Sequence, residues 1–173
     1  MNSKTLIVVV GPTGVGKTEL SIQLAQFFAC PIISADSRQI YKELKIGTAP
    51  PDAAQLQKVP HYFIGAKSIV EPYSAGQYEL DVIKLLDQLF KQHSVVLLVG
   101  GSMMYIDAVC KGLDNIPTIS NPVRKEVTDL FENGGLEAVR QKLKELDPVH
   151  FKKVDLNNKQ RVMHAVEVCL MLG

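Results

Sequence analysis

Eight residues constrain this chain more than any others: Gly11-Pro12-Thr13-Gly14-Val15-Gly16-Lys17-Thr18 fits the pattern G-x-x-x-x-G-K-[ST]. The run Leu6-Ile7-Val8-Val9-Val10 precedes it and reads as a strand over residues 5–10, buried on both faces. Lys17 to Phe28 follows it, with Leu20, Leu24 and Phe27 at helical spacing. Strand, glycine-rich loop and helix in that order form a P-loop, whose backbone N–H groups and helix N-terminus make a concave anion site. Lys17 adds a point charge and the Thr18 hydroxyl is a ligand for Mg²⁺, the one cofactor expected. Gly11 to Thr18 should therefore bind a polyphosphate.

The rest of the chain repeats this alternation. Ile32-Ile33-Ser34-Ala35 reads as a second short strand that ends at Asp36, and Val95 to Val99 as a third, buried one. Residues 45–75 are rich in Pro, Gly and polar side chains and read as a long surface segment with little regular structure. Leu80, Ile83, Leu86, Leu89 and Phe90 mark an amphipathic helix between Gly76 and His93. Gly100-Gly101-Ser102 breaks the third strand, and Ser102 is placed to cap a helix that starts near Met103 and stops at Gly112. Beyond Pro117, residues 122–133, 136–146 and 158–172 read as helices with charged faces.

The fold class this predicts is α/β, a P-loop-containing parallel sheet flanked by helices, with a helical extension after about residue 120. Residues 1–119 would form the core and residues 120–173 a helical segment. Ligands of such sheets lie beyond the carboxyl ends of the strands. The segments at Gly11, Asp36 and Gly100 should therefore converge on one site.

Composition narrows the class further. With 46% hydrophobic and 21% charged residues the chain can bury a real core, which excludes a disordered protein. Cys30, Cys110 and Cys169 are far apart and form no C-x-x-C pair, so neither a disulfide framework nor a zinc site is expected. The apolar run at residues 6–10 is too short for a signal peptide, and no stretch approaches the roughly 18 apolar residues of a membrane span. A soluble, cytoplasmic protein with no membrane partner is expected. Lys and Arg balance Asp and Glu at 10 to 10 in residues 1–123 and 9 to 8 beyond. Such a balance gives no sign of a nucleic-acid partner, although a local basic stripe would suffice for one.

A P-loop does not by itself mean phosphoryl transfer. Enzymes of that kind normally end another strand with an aspartate for Mg²⁺, yet Leu97-Leu98-Val99 runs into Gly100-Gly101 with no carboxylate, and no N-K-x-D motif is present. Asp36 is the only carboxylate at a predicted strand end. It reads either as the N-cap of a short helix or, opposite the P-loop, as a general base followed by Ser37, Arg38, Gln39, Ile40 and Tyr41.

A set of ordered motifs runs the whole chain: Gly11 to Thr18, Asp36-Ser37-x-x-x-Tyr41, Gly47-Thr48-Ala49-x-Pro51, Pro60-His61, Tyr73-Ser74-Ala75, Val99-Gly100-Gly101-Ser102-Met103-x-Tyr105, Asp147-Pro148 and Gln160-Arg161. In these the chain resembles the tRNA dimethylallyltransferases, also called tRNA isopentenyltransferases. The resemblance implies transfer of a dimethylallyl group from its diphosphate to N6 of adenosine 37, beside the anticodon of tRNAs that read codons beginning with U. The implied partners are dimethylallyl diphosphate and the anticodon stem-loop of tRNA, the implied state a monomer. Asp36 would be the general base, with Lys17, Thr18 and Ser102 beside it in the catalytic set; Ser102 stands where the family most often has Thr. Asp36, Ser37, Arg38, Gln39, Ser102, Arg124, Gln160, Arg161, Val162, Met163 and His164 would contact tRNA.

Two positions depart from the family pattern. Asn157-Asn158 replaces the usual Asn-Asp, and His164 stands where a second arginine is usual. The resemblance also implies a substantial further stretch beyond Gly173. Three other readings are open: transfer of the same group to a free adenine nucleotide, as in the cytokinin-synthesising relatives, a small-molecule P-loop kinase, and a protein that only binds nucleotide or pyrophosphate. The charged helices after residue 120 favour RNA over the first, and the lack of an arginine-rich lid counts against the second.

Overall fold

Four parallel strands make one sheet in the order β1-β4-β2-β3: β1 is Thr5–Val10, β2 Ile32–Ser34, β3 His61–Tyr62 and β4 Val95–Gly100. The coordinates are those of a computed structural model, and the structure describes residues 3–71, 73–113 and 119–173. The sheet belongs to the first of two compact units, Met1–Leu113; the second is Asp114–Gly173. Helices α1 (Lys17–Phe27), α2 (Ala53–Lys58), α3 (Ala75–Leu89) and α4 (Met103–Lys111) complete the first unit. The α/β class and the flanking helices expected from the sequence are present.

Register brings the functional strand ends level. Val10 of β1 pairs with Gly100 of β4, and Ser34 of β2 pairs with Val99 on its other side. The strands are then tied past their ends, because Ala35 N donates to Val99 O at 2.7 Å and Ser102 N donates to Ala35 O at 3.2 Å. A Cβ at Gly100 would overlap the Ala35 carbonyl and lie 2.9 Å from its Cα. Backbone atoms cannot yield as a flexible side chain can. Gly100→Ala should cost about 1–3 kcal/mol, read as a drop of several degrees in the thermal midpoint of the chain.

Burial corrects three sequence-based expectations. β1 is an edge strand among the described residues, with Val8 and Val10 exposed, so it is not buried on both faces. The doubly buried strand is β4, which lies between β1 and β2. Helix α1 buries Ser21, Ile22 and Ala25, leaving Leu20 and Phe27 exposed. Its small residues allow a close approach to Ile32, Leu97 and Val99, an approach that larger side chains at Leu20 and Phe27 would prevent. Helix α3 buries Tyr78, Val82, Leu86 and Leu89, while Leu80 and Ile83 face outward. Tyr78 fixes that rotation: its hydroxyl donates to Ser34 O at 2.8 Å, its ring stacks on Tyr105 with centroids 4.4 Å apart, and burial pushes its phenol pKa above the usual range.

Residues 45–75 also hold more structure than their composition suggests. Asp52 Oδ1 accepts from Gln55 N and Gln55 Oε1 accepts from Asp52 N, a reciprocal cap that starts α2. β3 then extends the sheet by two residues.

The second unit is helical throughout its described residues. α5 (Asn121–Leu146) is interrupted at Gly135, where φ is 65°, which separates the two helices expected there. The short α6 (Pro148–Phe151) and α7 (Lys159–Leu172) follow, around a core of Val127, Val139, Leu143, Val162, Ala165 and Val166. Asn158 caps α7 by accepting from Arg161 N at 3.1 Å. An aspartate there would cap in the same way, so this departure from the family pattern is neutral for the helix.

Candidate active site

A cavity of about 320 Å³ opens at the carboxyl ends of the strands, and all three predicted segments reach it. Thr13, Gly14, Gly16, Lys17 and Thr18 line it from the loop after β1, Asp36 and Gln39 from the turn after β2, and Val99 and Gly100 from β4. Gly11, Pro12 and Val15 complete the loop without reaching the cavity wall. Gly16 adopts the left-handed conformation (φ 92°) just before α1, which turns the chain from loop to helix and directs the free N–H groups of the first turn toward the cavity. Lys17 Nζ donates to Pro12 O at 2.6 Å, so the ammonium is held across the mouth of the loop.

The Asp36 carboxylate caps its turn through one oxygen and keeps the other free. Its Oδ1 accepts from Arg38 N at 2.9 Å and Gln39 N at 3.1 Å, capping the turn, while Oδ2 has no hydrogen-bond partner among the described residues. One oxygen therefore fixes the carboxylate and the other is left to take a proton.

Ser102 lies at the N-cap position of α4 but makes no capping bond. Instead its Oγ accepts from Ser37 N at 2.8 Å and donates to Ser37 Oγ at 3.1 Å. Neither serine lines the cavity, and Ser102 is tied to the Asp36 turn through Ser37. Arg38 is exposed, and its guanidinium has no partner among the described residues.

Five residues of the cavity wall were not singled out as site residues in the sequence: Glu19, Ala49 and Gln55, and Val99 and Gly100 on the segment expected to converge there. The D-x-x-Q spacing of Asp52 and Gln55 is a legible capping signal that would have placed a helix, and hence Gln55, near the site. A smaller recess of about 30 Å³, lined in part by Thr18, Ser21, Ser34, Gln39 and His61, adjoins the same residues. Burial pushes the His61 imidazole below its ordinary pKa, against the opposing effect of its 2.9 Å contact with Val59 O.

The remaining predicted contact residues belong to the second unit. Arg124, Gln160, Arg161 and His164 are exposed and Met163 is half-buried, whereas Val162 is fully buried in the helical core and offers no side chain to a ligand. Arg161 and His164 line a groove of about 480 Å³ with His150 and Lys153, and Asp147 and Asp155 line it too, so the groove carries both signs of charge, as the whole chain does. His164 Nδ1 lies 3.2 Å from Glu167 Oε2.

The model of the family described as IPP transferase matches residues 39–173, well over half of the chain. The chain belongs to the IPP transferase family. The chain is 56% identical over all 173 residues to tRNA dimethylallyltransferase 1 of Bacteroides fragilis strain YCH46, covering 58% of that protein. It is 46% identical to tRNA dimethylallyltransferase of Flavobacterium johnsoniae strain UW101, over 96% of this chain and 56% of the relative. The solved full-length tRNA isopentenylpyrophosphate transferase of Bacillus halodurans matches with a TM-score of 0.63 and 32% identity, over 99% of this chain and 57% of that one. A eukaryotic dimethylallyltransferase captured acting on tRNA matches with a TM-score of 0.81 and 27% identity, over 96% and 41%. The chain spans little more than half the length of the curated relatives it matches. Among the described residues, no helix is long and apolar enough to cross a membrane.

Proposed function

We propose that the protein containing this chain transfers a dimethylallyl group from dimethylallyl diphosphate to N6 of adenosine 37 in tRNAs reading codons beginning with U, giving N6-dimethylallyladenosine and diphosphate. The observation that carries the reading is the shared cavity: a P-loop and a fixed carboxylate with one free oxygen line the same 320 Å³, and no second carboxylate ends β4. A P-loop without that carboxylate suits a site that holds a leaving group and transfers no phosphoryl.

In the reaction the C–O bond between the allylic carbon and the diphosphate breaks, and the bond from that carbon to adenine N6 forms. Negative charge grows on the departing diphosphate, where the loop N–H groups and Lys17 stabilise it. N6 is a weak nucleophile because its lone pair is delocalised into the ring, so a proton must leave as the bond forms, and Asp36 Oδ2 accepts it. Mg²⁺ fits this donor set, since it is commonly held by one or two protein oxygens together with substrate phosphates; Thr18 Oγ1 would be the protein ligand. When bound, the ion supplies further neutralisation of diphosphate charge.

The target base must leave its stack to reach such a cavity. Arg38 on the Asp36 turn, and Arg124, Gln160, Arg161, Met163 and His164 on the helical unit, are the side chains assigned to tRNA. The protein is expected to work as a cytoplasmic monomer, where unmodified tRNA is available. Incubating the full-length protein and Mg²⁺ with labelled dimethylallyl diphosphate, and either AMP or an anticodon stem-loop carrying adenosines at positions 36–38, tests the reading. Label is expected on the stem-loop and not on AMP; the opposite result would make it a nucleotide prenyltransferase.

A further inference from the structure

We infer that Gln39 is a positioning residue that ties the 44–51 loop to the Asp36 turn and so sets the wall of the diphosphate cavity. The family resemblance placed Gln39 among residues that touch tRNA. Its side chain is instead committed within the chain: Nε2 donates to Thr48 O at 2.9 Å and to Ala49 O at 3.2 Å, and Oε1 accepts from Ser34 Oγ at 3.4 Å. Only this orientation of the amide satisfies all three partners, because the reverse would set a carbonyl against two carbonyls. Its backbone is equally engaged, since Gln39 N donates to Asp36 Oδ1 and Gln39 O accepts from Gly65 N at 2.8 Å. One residue thus joins the end of β2, the candidate base, the 44–51 loop and the segment after β3.

The loop has little else to hold it there. Among the described residues no backbone hydrogen bond is made by the amides of Gly47, Thr48 or Ala49, and the buried Thr48 hydroxyl reaches only as far as Leu44 O within the loop. Ala49, which lines the cavity, has φ 45°, a left-handed conformation that a residue with a Cβ keeps only when its surroundings impose it. The two carbonyl bonds from Gln39 supply that imposition. The inference rests on the prenyl-transfer reading only for what fills the cavity.

Backbone ¹⁵N relaxation and pyrophosphate titration test it on the chain itself. Gln39→Met matches the side-chain length without a donor, and Gln39→Asn keeps the amide one methylene short; either can serve if the other fails to fold. The order parameters of Gly47, Thr48 and Ala49 should fall from about 0.85 to below about 0.6 in the variants, with Val96–Val99 of β4 unchanged. The dissociation constant for inorganic pyrophosphate should rise about fivefold or more, because the competent loop is populated only part of the time. Unchanged order parameters in a folded variant, or a mobile loop with unaltered pyrophosphate affinity, overturn the inference. In the full-length protein the variants should raise KM for dimethylallyl diphosphate and leave KM for the stem-loop within about twofold; the reverse split returns Gln39 to tRNA contact and overturns the inference. Absence of prenyl transfer by the unsubstituted protein would defeat the functional reading, and the relaxation and pyrophosphate results would still decide the role of Gln39.

Discussion

Asp36→Asn in the full-length protein lowers kcat for prenyl transfer to the stem-loop by about two to four orders of magnitude, the usual contribution of a positioned general base. KM for both substrates stays close to that of the unsubstituted protein. The substitution is chosen because an asparagine Oδ1 still accepts from Arg38 N and Gln39 N, so the turn keeps its shape while the proton acceptor at Oδ2 is replaced by an amide donor. Asp36→Ala removes both functions and is expected to lose activity with some loss of stability, as caps removed in this way cost about 0.5–2 kcal/mol. Comparing the two separates chemistry from capping. Full turnover by Asp36→Asn with an unchanged melting curve would leave the carboxylate a structural cap and require another base.

Lys17→Ala has the second largest effect. A hydrogen bond to a charged group contributes about 1.5–3 kcal/mol, so kcat/KM for dimethylallyl diphosphate should fall by roughly one to two orders of magnitude from binding alone. A further loss in kcat is expected because the charge on the diphosphate grows as it departs. Lys17→Arg should recover only part of this, since a planar fork is not a point charge. The fold gives no reason for collapse, because among the described residues the Lys17 ammonium bonds only a loop carbonyl, that of Pro12. Pyrophosphate titration of the chain, followed by calorimetry, provides the check without any turnover. Equal affinity in the two proteins would take Lys17 out of the phosphate site.

Much of this was legible in the sequence because the signals are local. A β-branched run, a glycine-rich octet and a helix start identify the P-loop within 20 residues, and the same logic places Asp36 and Gly100 at strand ends that converge on one site. Non-local features escaped. Nothing near Val8 or Val10 says that β1 lies at the sheet edge, and α1 and α3 each carry two possible apolar faces, of which packing against β4 and the Tyr78–Tyr105 stack select one. Ser102 reads as a helix cap from its neighbours, yet its partner is Ser37, 65 residues away. Val162 falls in the run Gln160 to His164, whose polar members suggest ligand contact, and helical periodicity turns it into the core of the second unit.

On the proposed reading, the cavity at the strand ends delivers a dimethylallyl group to an adenine amine of tRNA. Mass analysis of nucleosides from an unmodified anticodon stem-loop, after incubation with the full-length protein, Mg²⁺ and dimethylallyl diphosphate, tests it most directly. N6-dimethylallyladenosine is expected at position 37 alone, formed by the unsubstituted protein and lost in Asp36→Asn. Unmodified adenosine throughout, with pyrophosphate bound but never released from dimethylallyl diphosphate, would contradict it.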